Sequence, residues 1–238
     1  MIEVEGLTVR FGGVTSLDDM SVTFGTGTCG LIGPNGAGKT TFFNVLSGFA
    51  RPAAGTVRAF GEDLLAMVHY RRARWGVRRT FQTEQAIQSL SVYDNVAMVH
   101  EHARLRGASR RADVLGAIAF AGLQASPSAR AGTLPAGERR LLEVARAVVG
   151  RPRLVLLDEP AAGLPDEETG HLRDVIRRIP EETGALTILV DHDMSLVSAC
   201  CETTAVLDFG KLIASGPTAG VLRDEHVMRA YLGTAEVL

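Results

Sequence analysis

Hydrophobic and polar positions alternate from Ile2 to Phe24, as in Leu7-Thr8-Val9-Arg10-Phe11 and Ser21-Val22-Thr23-Phe24. A period of two is that of a half-buried strand, so the spacing predicts short antiparallel strands with Gly12-Gly13 as the turn. The alternation then stops. Cys29-Gly30-Leu31-Ile32, Leu154-Val155-Leu156-Leu157 and Leu186-Thr187-Ile188-Leu189-Val190 are short apolar runs, the pattern of strands buried on both faces of a parallel sheet. Helical spacing fills the intervals. It is carried by Phe42 to Leu46, by Val92, Val96 and Val99, and by Val114, Leu115, Ile118 and Leu123, with Gly107-Ala108-Ser109 as a break. Leu141, Leu142, Ala145, Val148 and Val149 share one helical face. Ala205 to Ile213 reads as a closing hairpin around Asp208-Phe209-Gly210, and Thr218 to Leu232 as helix. Strands that alternate with helices make this an α/β chain. There is no internal repeat.

Composition narrows the class. With 238 residues, 46% of them apolar, and a net charge of −2, the chain can build one substantial core and gives no reason to expect a nucleic-acid partner. No run of around twenty apolar residues is present, and the opening Met1-Ile2-Glu3-Val4-Glu5 is acidic and strand-like, so neither a membrane span nor a secretory signal is expected. Any membrane role must then come through a partner. Its three cysteines, Cys29 and the adjacent Cys200-Cys201, make neither a disulfide framework nor a zinc spacing, which points to a reducing cytoplasm.

The chemistry begins at Gly33-Pro34-Asn35-Gly36-Ala37-Gly38-Lys39-Thr40-Thr41, between an apolar run and a helical one. It matches G-x-x-x-x-G-K-[ST] in the strand-loop-helix setting that this pattern needs. Glycines let backbone N–H groups turn inward around a phosphate, and the following helix adds its positive end. Lys39 would reach the terminal phosphates, and the Thr40 hydroxyl would face Mg²⁺.

Other positions carry two readings each. Phe11 is either an aromatic that stacks on an adenine ring or a core residue. Arg71, Arg72, Arg74, Arg78 and Arg79 form a basic run, which on composition is a solvated helix face. Gln82, in Arg79-Thr80-Phe81-Gln82, could complete Mg²⁺ coordination or hold an attacking water from a loop able to move. Leu134 to Glu138 opens a helix at Gly137, a further anion site. Asp158-Glu159 ends a buried strand, where α/β folds place ligands; Asp158 would hold Mg²⁺ and Glu159 would polarise a water, the alternative being a solvated acidic turn. His192, in Asp191-His192-Asp193, is either structural or a γ-phosphate donor.

In this order and at these separations, the phosphate loop, Gln82, Leu134 to Glu138, Asp158-Glu159 and His192 resemble the nucleotide-binding subunit of an ATP-binding cassette (ABC) transporter. The resemblance spans nearly the whole chain. Within that superfamily it is similar to the ATP-binding proteins of branched-chain amino acid importers, on Arg79 to Gln82, Asp158-Glu159-Pro160-Ala161-Ala162-Gly163-Leu164, His192-Asp193-Met194 and Arg229-Ala230-Tyr231-Leu232-Gly233. The fold implied is a P-loop NTPase with a mostly parallel RecA-like sheet, an antiparallel β subdomain and an inserted α-helical subdomain. A single cassette over 1–238 would have its core at 1–89 and 150–238 and its helical part with the signature at about 90–149.

The resemblance also implies roles. Phe11 stacks on adenine; Gly33, Pro34, Asn35, Gly36, Ala37, Gly38, Lys39, Thr40 and Thr41 cradle the phosphates of ATP; Thr40, Gln82 and Asp158 surround Mg²⁺. Glu159 is the general base, with Gln82 and His192 beside the reacting phosphate. Pro135, Ala136, Gly137 and Glu138 cover ATP held by a second cassette, in a homodimer or a heterodimer. Membrane permease subunits are the direct partners, a substrate-binding protein an indirect one, and the chain sits in the cytoplasm against the inner face of the membrane. A urea or short-amide importer, a cassette outside transport and a regulatory cassette are the alternatives.

Two places depart from the family pattern. Pro135, Ala136 and Glu138 stand where the signature commonly has serine, glycine and glutamine. Losing the serine hydroxyl removes a hydrogen bond worth roughly 1.5–3 kcal/mol, so the closed state should be weakened, not abolished. Pro165-Asp166 stands where Asn-Pro is usual, which puts contacts of this loop across a dimer in doubt.

Overall fold

The structure, a computed structural model, describes residues 1–102 and 109–232. Gly107 and Ala108 of the expected helix break and Gly233 of the terminal stretch lie outside them. In chain order the elements are β1 (Ile2–Phe11), β2 (Val14–Phe24), β3 (Thr28–Ile32), α1 (Lys39–Ser47), β4 (Ala54–Ala59), β5 (Glu62–Asp63), α2 (His69–Trp75), β6 (Val77–Arg79), α3 (Val92–His102) and α4 (Arg110–Phe120). There follow α5 (Ala136–Val148), β7 (Leu154–Asp158), α6 (Asp166–Thr183), β8 (Leu186–Val190), α7 (Met194–Cys200), β9 (Thr203–Asp208), β10 (Lys211–Pro217), α8 (Thr218–Val221) and α9 (Glu225–Leu232). The chain forms two compact units, one from Met1–Arg72 with Ile188–Leu238 and the other from Ala73–Thr187.

In the first unit β1 pairs antiparallel with both β2 and β4, in a sheet of order β2-β1-β4-β5. Its buried positions are Ile2, Val4, Leu7 and Val9 on one strand and Leu17, Met20, Val22 and Phe24 on the other. Strict alternation would put Leu7 and Met20 on the wrong face. The pairing slips between Val4 and Leu7 and between Leu7 and Val9, so each strand carries an extra residue that returns the next apolar side chain to the core.

β3 is buried throughout and pairs parallel with β9, which turns at Asp208-Phe209-Gly210 into antiparallel β10. The Phe24 and Phe42 rings meet at 5.7 Å between centroids, seating α1. The basic run does not behave as a solvated face. Arg72 is buried and donates to the carbonyls of Val45, Leu46 and Met67, satisfying the end of α1, which has no i+4 partners left to offer. Arg71 and Arg74 stay exposed.

In the second unit β6 and β7 run parallel, with Val77 beside Leu154 and Arg79 beside Leu156. Arg78 is buried as well; it donates to the carbonyls of Ala73 and Val77, and burial pulls its guanidinium down to about 10. His100 Nε2 and Asp113 Oδ2, 2.9 Å apart, tie α3 to α4. The predicted apolar face of α5 is buried at Leu141, Leu142, Ala145 and Val148. β8 crosses the boundary between the units.

Candidate functional site

The loop between β3 and α1 is bent by Gly33, Gly36 and Gly38, with φ of 151°, 80° and 105°. A side chain has no room at two of them: a Cβ would lie 2.1 Å from the Leu207 carbonyl oxygen at Gly33 and 2.7 Å from that of Ser16 at Gly38. Gly38 is the N-cap of α1 and supplies no side-chain acceptor, so the amides of the first turn are left to meet an anion. Lys39 Nζ lies over the same loop, 2.5 Å from the Gly33 carbonyl and 2.9 Å from that of Pro34. Thr41 Oγ1 is 2.7 Å from Ser16 Oγ, whereas Thr40 is exposed, as are Asn35 and Gly36. The turn after β9 braces the cradle, since Gly210 N donates to Ala37 O and Asp18 N to Gly210 O. Backbone donors, an ammonium and a helix start make a fitting seat for a polyphosphate.

Also in this unit, Phe11 is 54% exposed, so it is not a core residue. His192 is exposed between two acids with structural work. Asp191 Oδ1 accepts from Asp193 N, and Asp193 Oδ1 accepts from Ser195 Oγ, Ser195 N and Leu196 N to cap α7. The Ser195 hydroxyl above all, with the two amides, holds the Asp193 carboxyl below its ordinary range. Burial pushes the Cys29 and Cys201 thiols up, which makes them poor nucleophiles.

The second unit gathers the other candidates at the carboxyl ends of β6 and β7. Gln82 Nε2 donates to Glu159 Oε2 at 2.9 Å. Glu159 holds a left-handed backbone, φ 48°, a strained conformation of the kind that collects at functional positions. Asp158 is buried; its Oδ2 accepts from Arg79 Nη2 at 2.8 Å and its backbone N–H donates to Thr80 Oγ1 at 3.1 Å. The acidic pair is therefore no solvated turn. Within this unit the Gln82 amide oxygen and the Asp158 carboxylate are hard oxygen donors of the kind that suit Mg²⁺, as is the Thr40 hydroxyl of the first unit.

Pro135 and Ala136 are exposed at the mouth of α5, with Pro135 as its N-cap and no side-chain cap. Gly137 is buried against α6, where a Cβ would meet Glu168 Oε2 at 2.6 Å. Glu138 turns back on its own unit: its carboxylate accepts from Gln124 N at 3.0 Å and Ala125 N at 3.3 Å. Arg140 donates from Nη1 to Gln82 O and from Nη2 to Ala162 O, both at 3.3 Å. Sequence reasoning missed Arg79, Thr80, Arg140 and Glu143 as parts of this cluster. Arg79 and Thr80 left one signal, their place in the stretch that leads into Gln82; Arg140 and Glu143 left none.

Residues 17–162 match the family described as ABC transporter, and residues 211–237 match one described as branched-chain amino acid ATP-binding cassette transporter. The chain is 35% identical to the high-affinity branched-chain amino acid transport ATP-binding protein BraF of Pseudomonas aeruginosa, over 99% of this chain and 98% of that protein. Among solved structures it is similar to the ADP conformation of MJ1267, an ATP-binding cassette of an ABC transporter, with a TM-score of 0.84 at 25% identity over 98% of each chain. It shares its fold with the cassette MJ0796, seen as a dimer in a post-hydrolysis state with ADP and Pi, at a TM-score of 0.81 and 20% identity over 92% of this chain and 99% of that one.

Proposed function

Because the chain belongs to the ABC transporter family, we propose that it is the ATP-hydrolysing subunit that powers a membrane importer, with branched-chain amino acids as the solute class. The observation that carries the reading is the Gly33 to Thr41 cradle, with its inward-turned backbone and the uncapped start of α1. The match at 211–237 and the full-length similarity to BraF support the solute class.

In this reading Phe11 stacks on adenine, and Lys39 with the loop amides neutralises the phosphates. Thr40, Gln82 and Asp158 hold Mg²⁺, which when bound offsets the charge on the phosphate oxygens. Glu159 takes a proton from the attacking water, Gln82 orients that carboxylate and the water, and His192 donates to the γ-phosphate. The hydrogen bond from Gln82 to Glu159 supports the pairing of those two roles. Pro135 to Glu138 of one cassette close over ATP in another, whether a second copy or a related subunit. With the Glu138 carboxylate engaged by Gln124 and Ala125, the Gly137 amide and the helix start do the covering.

Closure of the pair pulls on a permease, and a substrate-binding protein acts through that permease. The chain therefore works in the cytoplasm at the inner face of the membrane. Among the described residues no helix is long and apolar enough to cross a bilayer itself.

Reconstitution with its permease in vesicles tests this reading. ATP-dependent leucine uptake is the expected result. Uptake of urea or short amides alone would move the chain to that importer class, ATPase activity that answers to nucleic acid and not to permease would remove transport, and binding without phosphate release would make the cassette regulatory.

A further inference from the structure

The polar side of α5 grips the loop after β6 at successive points. Arg140 Nη1 reaches the Gln82 carbonyl, Arg139 Nε pairs with Glu84 Oε2 at 2.8 Å, and Glu143 Oε1 accepts the backbone N–H of Gln85 at 3.0 Å. Residues 139, 140 and 143 face one way because positions three and four apart on a helix are neighbours. Two residues past Gln85 the loop is held again. Asn95, fully buried, accepts from Ile87 N at 2.8 Å and donates to Ile87 O at 3.0 Å.

Glu143 is the unusual member. It is 5% exposed although it lies on this polar side of α5, and its other partner is Arg146, at 2.7 Å on the same helix. A pair three residues apart on one helix forms as readily at a surface, so it does not by itself explain a buried carboxylate. The Gln85 amide does. That N–H belongs to a loop without regular structure and is satisfied by Glu143.

We propose that Glu143 is a positioning residue for Gln82. By fixing the loop at Gln85, next to the points held by Arg139 and Arg140, it anchors the base from which the Gln82 amide is presented to Glu159. This role rests on the function proposed above only in that Gln82 and Glu159 serve hydrolysis.

Two measurements on the full-length chain test it. In hydrogen exchange without nucleotide, Glu143→Ala should speed exchange of the Gln85 amide about tenfold or more, while Glu143→Gln, which keeps an acceptor oxygen there, should stay within about threefold of wild type. In steady-state hydrolysis, Glu143→Ala should lower kcat about tenfold with KM for ATP within about twofold, and Glu143→Gln should restore most of kcat. Glutamine discards the charge that pairs with Arg146, so rescue assigns the role to the Gln85 contact. Gln85→Pro removes the N–H and leaves Glu143 with Arg146; it should reproduce the kcat loss and stands in if Glu143→Ala does not fold. Wild-type exchange of the Gln85 amide in Glu143→Ala, wild-type kcat in both Glu143→Ala and Gln85→Pro, or a Glu143→Gln chain as impaired as Glu143→Ala, overturns the proposal. A chain that hydrolyses no ATP but shows the exchange pattern would sink the hydrolytic reading and leave the anchor standing.

Discussion

Arg79 and Asp158 form an ion pair at 2.8 Å in which the two side chains are 5% and 7% exposed. Two opposite charges buried together cost less than either buried alone. Removing one partner strands the other. Arg79→Ala should therefore cost about 3–5 kcal/mol in denaturant-induced unfolding. A loss under about 1 kcal/mol would mean the pair is solvated in solution.

Glu159 should be separable from nucleotide binding. The isosteric Glu159→Gln keeps an oxygen for the Gln82 amide and removes the base, so phosphate release should fall by about 10²-fold or more while ATP remains bound. Size-exclusion chromatography with Mg-ATP should then show a dimer that persists. Turnover at the wild-type rate would take Glu159 out of the chemistry.

Phe11 offers a cleaner separation of stability from binding. An aromatic that is 54% exposed contributes little to the core, so Phe11→Ala should change unfolding stability by under about 0.5 kcal/mol. Stacking on a base is worth about 1–3 kcal/mol, which predicts a drop in ATP affinity of roughly five- to a hundredfold by calorimetric titration. Unchanged affinity would place the adenine elsewhere.

Asp193 predicts an acid-side effect with a definite sign. Its folded-state carboxyl lies below the ordinary range, chiefly through the Ser195 hydroxyl, so the cap contributes fully above the unfolded value of about 4 and is lost as pH falls through the depressed folded one. Asp193→Ala should cost about 1 kcal/mol near pH 7. The gap in thermal melts between variant and wild type should close at acid pH. A gap that stayed constant to pH 2 would show that the charge plays no part in capping α7.

Some of this protein was determined by sequence alone. The cradle from Gly33 to Thr41 is contiguous, so its glycines, lysine and threonines can be read together before any distant contact that braces them is known. The acids at Asp158-Glu159 could be placed at a strand end because an apolar run reports where a buried strand stops. The buried faces of β7, β8 and α5 were legible for the same reason, since periodicity records which side of an element avoids water.

Tertiary structure decided the rest. Arg79 with Asp158, Gln82 with Glu159 and Glu143 with Gln85 are 79, 77 and 58 residues apart in the chain, and no local pattern says which charge will meet which. The register of β6 on β7 brings the first two pairs together, and the packing of α5 makes the third. The basic run shows the difference most plainly. As composition it is a solvated face, yet Arg72, Arg78 and Arg79 are drawn inward, because helix-end carbonyls and a buried carboxylate need donors that water cannot reach to supply.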